Sequence, residues 1–91
     1  MTLDEAIARV TKLAERRREK AQAYADAAVQ YEERALSENE VLSSMQRDFL
    51  VSLGVNAQRS AKAMNDDAEA LEAVLRSGVV MAQRLDEIGH D

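Results

Sequence analysis

The sequence predicts an all-α protein: an elongated antiparallel helical hairpin or three-helix bundle, packed as a coiled coil through alanine-rich heptads and paired as a dimer. Three observations carry that prediction. No proline interrupts the 91 residues, so nothing forces a helix to stop. Ala, Glu, Arg, Lys, Gln and Leu dominate, all of them strong helix formers. Small and apolar residues recur in alternating steps of three and four, the spacing of one helix face.

The elements follow from local signals, within one domain spanning 1–91. Thr2-Leu3-Asp4-Glu5 is a capping box, in which the Thr2 hydroxyl accepts a free amide and Glu5 reaches back. It opens a helix expected over 3–36. Ser37-Glu38-Asn39-Glu40 repeats the pattern and sets the start of a second helix over 40–53. Gly54, followed by Val55 and Asn56, has the form of a glycine C-cap leading into a new N-cap. A third helix then covers 57–88, with Gly89 at its end.

Periodicity within these segments is strong. Leu3, Ile7, Val10, Ala14, Arg17, Ala21, Tyr24, Ala28, Tyr31 and Ala35 alternate steps of four and three without a slip. Ala57, Ala61, Met64, Ala68, Leu71, Leu75, Gly78, Ala82 and Leu85 repeat the pattern. Sustained heptads imply left-handed packing with a crossing angle of about +20°. Alanine at alternate core positions lets two backbones approach closely while larger residues fill the seam. Between the two series, Leu42, Met45, Phe49 and Leu53 form a stripe of their own, widened by Val41 and Leu50. Met45 and Phe49 are expected to be the core plug.

Composition supports the same picture. Of 42 apolar residues, 16 are Ala and only 20 are Leu, Ile, Val or Phe, a poor inventory for a globular core. Nine of the alanines line or border the seams, so the shortage of large residues points to close helix pairing rather than disorder. A 34-residue helix is about 51 Å long. A compact 91-residue domain has a diameter of roughly 30 Å. The molecule must therefore be elongated, with much of each seam covered by a second chain.

Several chemistries lack their residues. The chain has no Cys and one His, at position 90, which removes disulfides, thiol chemistry and Cys-ligated zinc. There is no glycine-rich phosphate loop and no nucleophile–base arrangement. Neighbouring acids such as Glu32/Glu33 and Asp66/Asp67 point about 100° apart on a helix and do not make an acid–base pair. No catalytic residue, metal or cofactor is expected. The acidic N-terminus lacks the pattern of a signal peptide, and the longest uncharged stretch, Phe49 to Gln58, is far short of the ~20 residues of a membrane span. A cytoplasmic protein without membrane contact is the expectation.

Charge is unevenly placed. Residues 1–36 carry seven bases and seven acids, whereas residues 37–91 carry five and ten, so the whole net charge of −5 lies in the second part. Arg16, Arg17 and Arg18 sit in a basic stretch over 9–20, and Asp66, Asp67, Glu69 and Glu72 form an acidic run. Pairing about a turn near residue 38 sets Arg9 opposite 68 and Lys12 opposite 65, so the blocks can neutralise each other within one chain or across a dimer. Arg17, on the apolar seam, can snorkel, set register as a polar core residue, or meet an acidic partner. Net negative charge and the absence of interleaved aromatics argue against direct nucleic-acid binding through Arg16–Lys20.

Met1-Thr2-Leu3-Asp4-Glu5-Ala6-Ile7, followed by Leu13-Ala14-Glu15 and Ala21 to Tyr24, resembles the start of small bacteriophage-encoded helical accessory proteins. That resemblance implies a protein of the host cytoplasm that binds and blocks a host component, as anti-CRISPR and other anti-defence inhibitors do. The expected function is a non-enzymatic, acidic interaction module that meets a basic protein surface through Asp66, Asp67, Glu69 and Glu72, with Arg16, Arg17 and Arg18 as a second contact set. Alternatives are a structural or assembly coiled coil, a small secreted helical hairpin (though no Trp-x-Gly turn is present), and a small DNA-binding regulator.

Overall fold

Two helices account for the architecture. The computed structural model describes residues 2–37 and 41–89, without the side chains of residues 81, 82 and 85–89. Helix α1 spans Leu3–Leu36 and helix α2 spans Ser44–Gly89. They lie side by side as an antiparallel hairpin 74 × 17 × 15 Å. The elongated all-helical form expected from helix length is present.

The ends of the helices have clear chemical causes. Thr2 caps α1, its hydroxyl accepting from the Glu5 amide at 3.2 Å. At the other end the Ser37 amide donates back to the Arg34 carbonyl at 3.3 Å. Helix α2 opens on a reciprocal capping box at Ser43: its hydroxyl accepts from the Gln46 amide at 3.1 Å, while its own amide donates to Gln46 Oε1 at 2.9 Å. The box expected at Ser37–Glu40 falls largely on 38–40, outside the described residues. Arg47, in the first turn of α2, donates to the carbonyls of Ala35 and Ser37. It thereby satisfies two acceptors at the end of α1 and ties the two helices together beside the connection.

The helix break expected at Gly54–Asn56 does not occur. Helix α2 runs through both residues, and no described glycine has a positive φ. The expected helices 40–53 and 57–88 are therefore one, and a three-helix arrangement gives way to a hairpin. Gly54 is instead buried in the seam. A Cβ built there would lie 3.7 Å from the Ala28 carbonyl oxygen and 3.8 Å from Tyr31 Cβ, so α1 and α2 are nearly in backbone contact at this point.

Removing the break changes the phase of the middle segment. Followed backwards from Ala57, the three–four alternation falls on Gly54, Leu50 and Arg47. Leu50 and Gly54 are buried and Arg47 is half-buried. Phe49 and Met45 are thereby turned outward, 64% and 81% exposed. The expectation that they plug the core is corrected: Phe49 sits one position off the seam and Met45 two.

The interior is a line of small residues. Among the described residues, the buried apolar side chains are Ala14, Ala21, Ala28 and Ala35 from α1, with Leu50, Ala57, Ala61 and Ala68 from α2. Ile7, Val10, Tyr31, Met64, Leu71 and Leu75 are half-buried at seam positions, and Tyr24 leans out to 40% exposure. Two helices alone can enclose only the residues directly between their axes, so larger side chains flank the seam and cover it partially. Side chains at 82 and 85 lie outside those described.

Candidate interaction surface

The register of the hairpin decides which charges meet. Arg17 reaches Met64, Gly54 abuts Ala28 and Arg47 reaches Ala35, pairs whose midpoints all fall at about residue 41. This replaces the register centred near 38 and puts Ala14, rather than Arg9, level with Ala68.

Consecutive residues on a helix diverge by about 100°, and the Arg16–Arg18 cluster is dispersed accordingly. Arg18 turns to one side of the seam and grips Glu72 with two parallel bonds, Nε to Oε1 and Nη2 to Oε2, each 3.1 Å. Its Nη1 also donates to Asn65 Oδ1 at 3.1 Å. The bonded carboxylate holds the Arg18 guanidinium above its ordinary pKa, and the guanidinium holds Glu72 below its ordinary value of 4.5. Arg17 lies across the seam, half-buried, with Nη1 3.4 Å from Met64 Sδ. Arg16 faces outward. The three guanidiniums do not converge on a single patch.

The acidic run is divided in the same way. Glu72 belongs to the pair with Arg18. Asp66 forms an i,i+4 ion pair with Lys62 at 3.1 Å, both ends well exposed, a contact worth little in water. Glu69 is exposed on the Arg18 side and adds to the field on that guanidinium. Asp67 stands on the opposite side of the seam, beside a cleft that it lines with Leu13, Arg17, Ala70 and Leu71. The four acids therefore do not present one face. The Arg18–Glu72 contact, within one chain, is the neutralisation that the charge blocks suggested.

Several of the larger apolar residues also lie on the surface. Leu36 (71% exposed), Met45, Phe49 and Val74 (63%) stand outside the hairpin. Near the connection, Ala28, Leu36, Val51, Gly54 and Val55 line a groove of about 210 Å³. Sequence reasoning missed this groove and the role of Arg47, because both depend on α2 continuing through Gly54. Among the described residues there is no group of three or more His, Asp or Glu placed to hold a metal ion, and no helix long and apolar enough to cross a membrane. Comparison with protein-family models, curated proteins and solved structures finds no match.

Proposed function

We propose that this chain is a non-enzymatic helical interaction module, dimeric through coiled-coil packing, that acts by holding a protein partner against its side faces. One observation carries the proposal: the distribution of apolar side chains is inverted. Seven of the eight buried apolar residues are alanines, while Leu36, Met45, Phe49 and Val74 are more than 60% exposed. Exposed apolar residues that gather in a groove, as Leu36, Val51 and Val55 do near the connection, mark protein contact.

The acidic second half of the chain and the exposure of Asp66 and Glu69 favour a partner with a basic surface. With the resemblance of its first residues to phage accessory proteins, this supports an inhibitor that occupies a host protein's surface. The divergence of Arg16, Arg17 and Arg18 disfavours a phosphate-binding patch and with it the DNA-binding alternative. The test is capture with the tagged chain, followed by calorimetric titration of the purified pair. A saturable complex, weakened about tenfold or more by Asp66→Lys with Glu69→Lys, supports the proposal; an affinity unchanged in that variant overturns the acidic contact.

A further inference from the structure

The two long sides of the hairpin differ in how their charged groups are satisfied, and the difference singles out one of them. On one side Arg18, Asn65 and Glu72 are bonded to one another, and the apolar residues Leu36, Val51, Val55 and Val79 beyond them line grooves of their own. On the other side the sequence steps by fours and threes through Leu13, Arg17, Lys20, Tyr24, Ala27 and Tyr31. Helix α2 answers with Leu53, Ala57, Ser60, Met64, Asp67, Leu71 and Val74. Leu13 and Arg17 share a cleft there with Asp67 and Leu71, so the two series lie on a common face. Leu13, Tyr24 and Val74 are at least 40% exposed on it. In the middle of this apolar face stand a half-buried guanidinium whose hydrogen bond goes to a thioether sulfur, and an exposed carboxylate, Asp67. Neither makes an ion pair among the described residues.

We infer that this face is covered by the same face of a second copy, related by a twofold axis parallel to the helices, with Arg17 of each chain meeting Asp67 of the other. The inference rests on the dimeric part of the function proposed above and specifies its geometry. A twofold axis in this direction lays α1 of one chain over α2 of its partner, antiparallel and at the same height. Arg17 and Asp67 lie at nearly the same height in the hairpin, because Arg17 is level with Met64. Each base is then brought to the partner's acid twice over, as an isologous interface requires. An axis across the helices would instead stack α1 on α1 and set Arg16, Arg17 and Lys20 against their own copies.

The area is sufficient. The two-helix part of one long face, about 51 Å long and 17 Å wide, offers roughly 870 Å², close to the ~800 Å² per partner of a standard stable interface. The outcome is a four-helix bundle whose core consists of the residues that flank the alanine seam, with a charged layer at mid-height fixing partner and register.

Sedimentation equilibrium on the full chain tests this with two variants, Arg17→Glu and Asp67→Lys. Wild type is expected at twice the 10.1 kDa chain mass at low micromolar concentration. Each variant alone sets like charges together in both halves of its own dimer, and should dissociate at concentrations about tenfold or more higher than wild type. Mixed in equal amounts, they restore opposite charges at both contacts, so a heterodimer as tight as wild type should form. Repulsion confined within one chain would not be relieved by mixing. A mixture no tighter than the separate variants, or variants as tight as wild type, overturns the pairing while leaving the interaction module standing. A wild-type chain that stays monomeric at 100-fold the expected dissociation concentration removes dimerisation altogether.

Discussion

Arg17 lies across the hairpin with its Nη1 3.4 Å from the Sδ of Met64, a guanidinium half-buried against a thioether. Sulfur is a weak acceptor, so this contact returns little of the hydration that the cation gives up. Within one hairpin Arg17 is therefore a local conflict, and the first prediction is that Arg17→Leu stabilises the isolated hairpin by about 1 kcal/mol. Urea denaturation at concentrations where the chain is monomeric checks it. The same variant should lose its preference for a partner bearing Asp67, since the layer that specifies register is gone.

On the opposite side of the seam, the pair of Arg18 with Glu72 carries a pH dependence. Glu72 titrates below its ordinary value of 4.5 because the folded chain bonds its charged form to Arg18. Its contribution is complete above pH 4.5 and is lost as pH falls through the lowered folded value. Arg18, held above its ordinary value, stays charged throughout this range. Wild type should therefore melt above Glu72→Gln at pH 7, and the gap should narrow as the pH drops below 4.5. Added salt should shrink the gap at pH 7 as well, since the pair is open to solvent.

Gly54 provides a graded test of the close approach. Its built Cβ meets Ala28 O and Tyr31 Cβ at 3.7 and 3.8 Å, ordinary contact distances, so Gly54→Ala should fit and gain about 0.8–1 kcal/mol of helix propensity. Gly54→Leu adds three more carbons beside the Ala28 backbone and Tyr31, with only the adjoining groove to receive them, and should be less stable than Gly54→Ala by about 1–3 kcal/mol. At Gly78 a Cβ meets nothing within 4 Å, so Gly78→Ala should stabilise by about the same amount as Gly54→Ala. Thermal melts followed by circular dichroism distinguish the three variants.

The start of α2 depends on Ser43. Replacing it by Ala removes the hydroxyl that accepts from the Gln46 amide and should cost about 1 kcal/mol. Removal of both side-chain hydrogen bonds of Arg47, as in Arg47→Met, should loosen the connected end of the hairpin selectively. Faster amide exchange in the last turn of α1, with the middle of α1 unchanged, is the expected signature.

Much of the seam was legible because alanine recurs at every seventh position from 14 to 35, a pattern that needs no tertiary knowledge to interpret. Gly54 was misread because a helical glycine followed by asparagine has the local signature of a cap. Its actual role, admitting the Ala28 backbone, exists only once the second helix is alongside. The evidence for continuity was nonetheless present, since the steps leading back from Ala57 land on Gly54, Leu50 and Arg47 without a slip. Register was misplaced for a related reason: Ser37–Glu40 and Ser43–Gln46 both have the form of a capping box, and choosing the first shifted the pairing by several residues. The acidic and basic runs were visible as runs. Their dispersal around the helices follows from rotation of about 100° per residue, and treating the acids as one contact set neglected it.

The account turns on a single continuous α2 packed almost backbone to backbone against α1 at Gly54. The most direct measurement is cross-linking of Tyr31→Cys with Gly54→Cys in a chain that contains no other cysteine. The Cβ separation of 3.8 Å at this pair matches the mean of about 3.8 Å in disulfides. Mild oxidation should close a bond within one chain, seen as a compact monomer on a non-reducing denaturing gel, with helicity unchanged. Thiols that stay free, or that join two chains instead, would contradict the hairpin and the register on which the proposed dimer face depends.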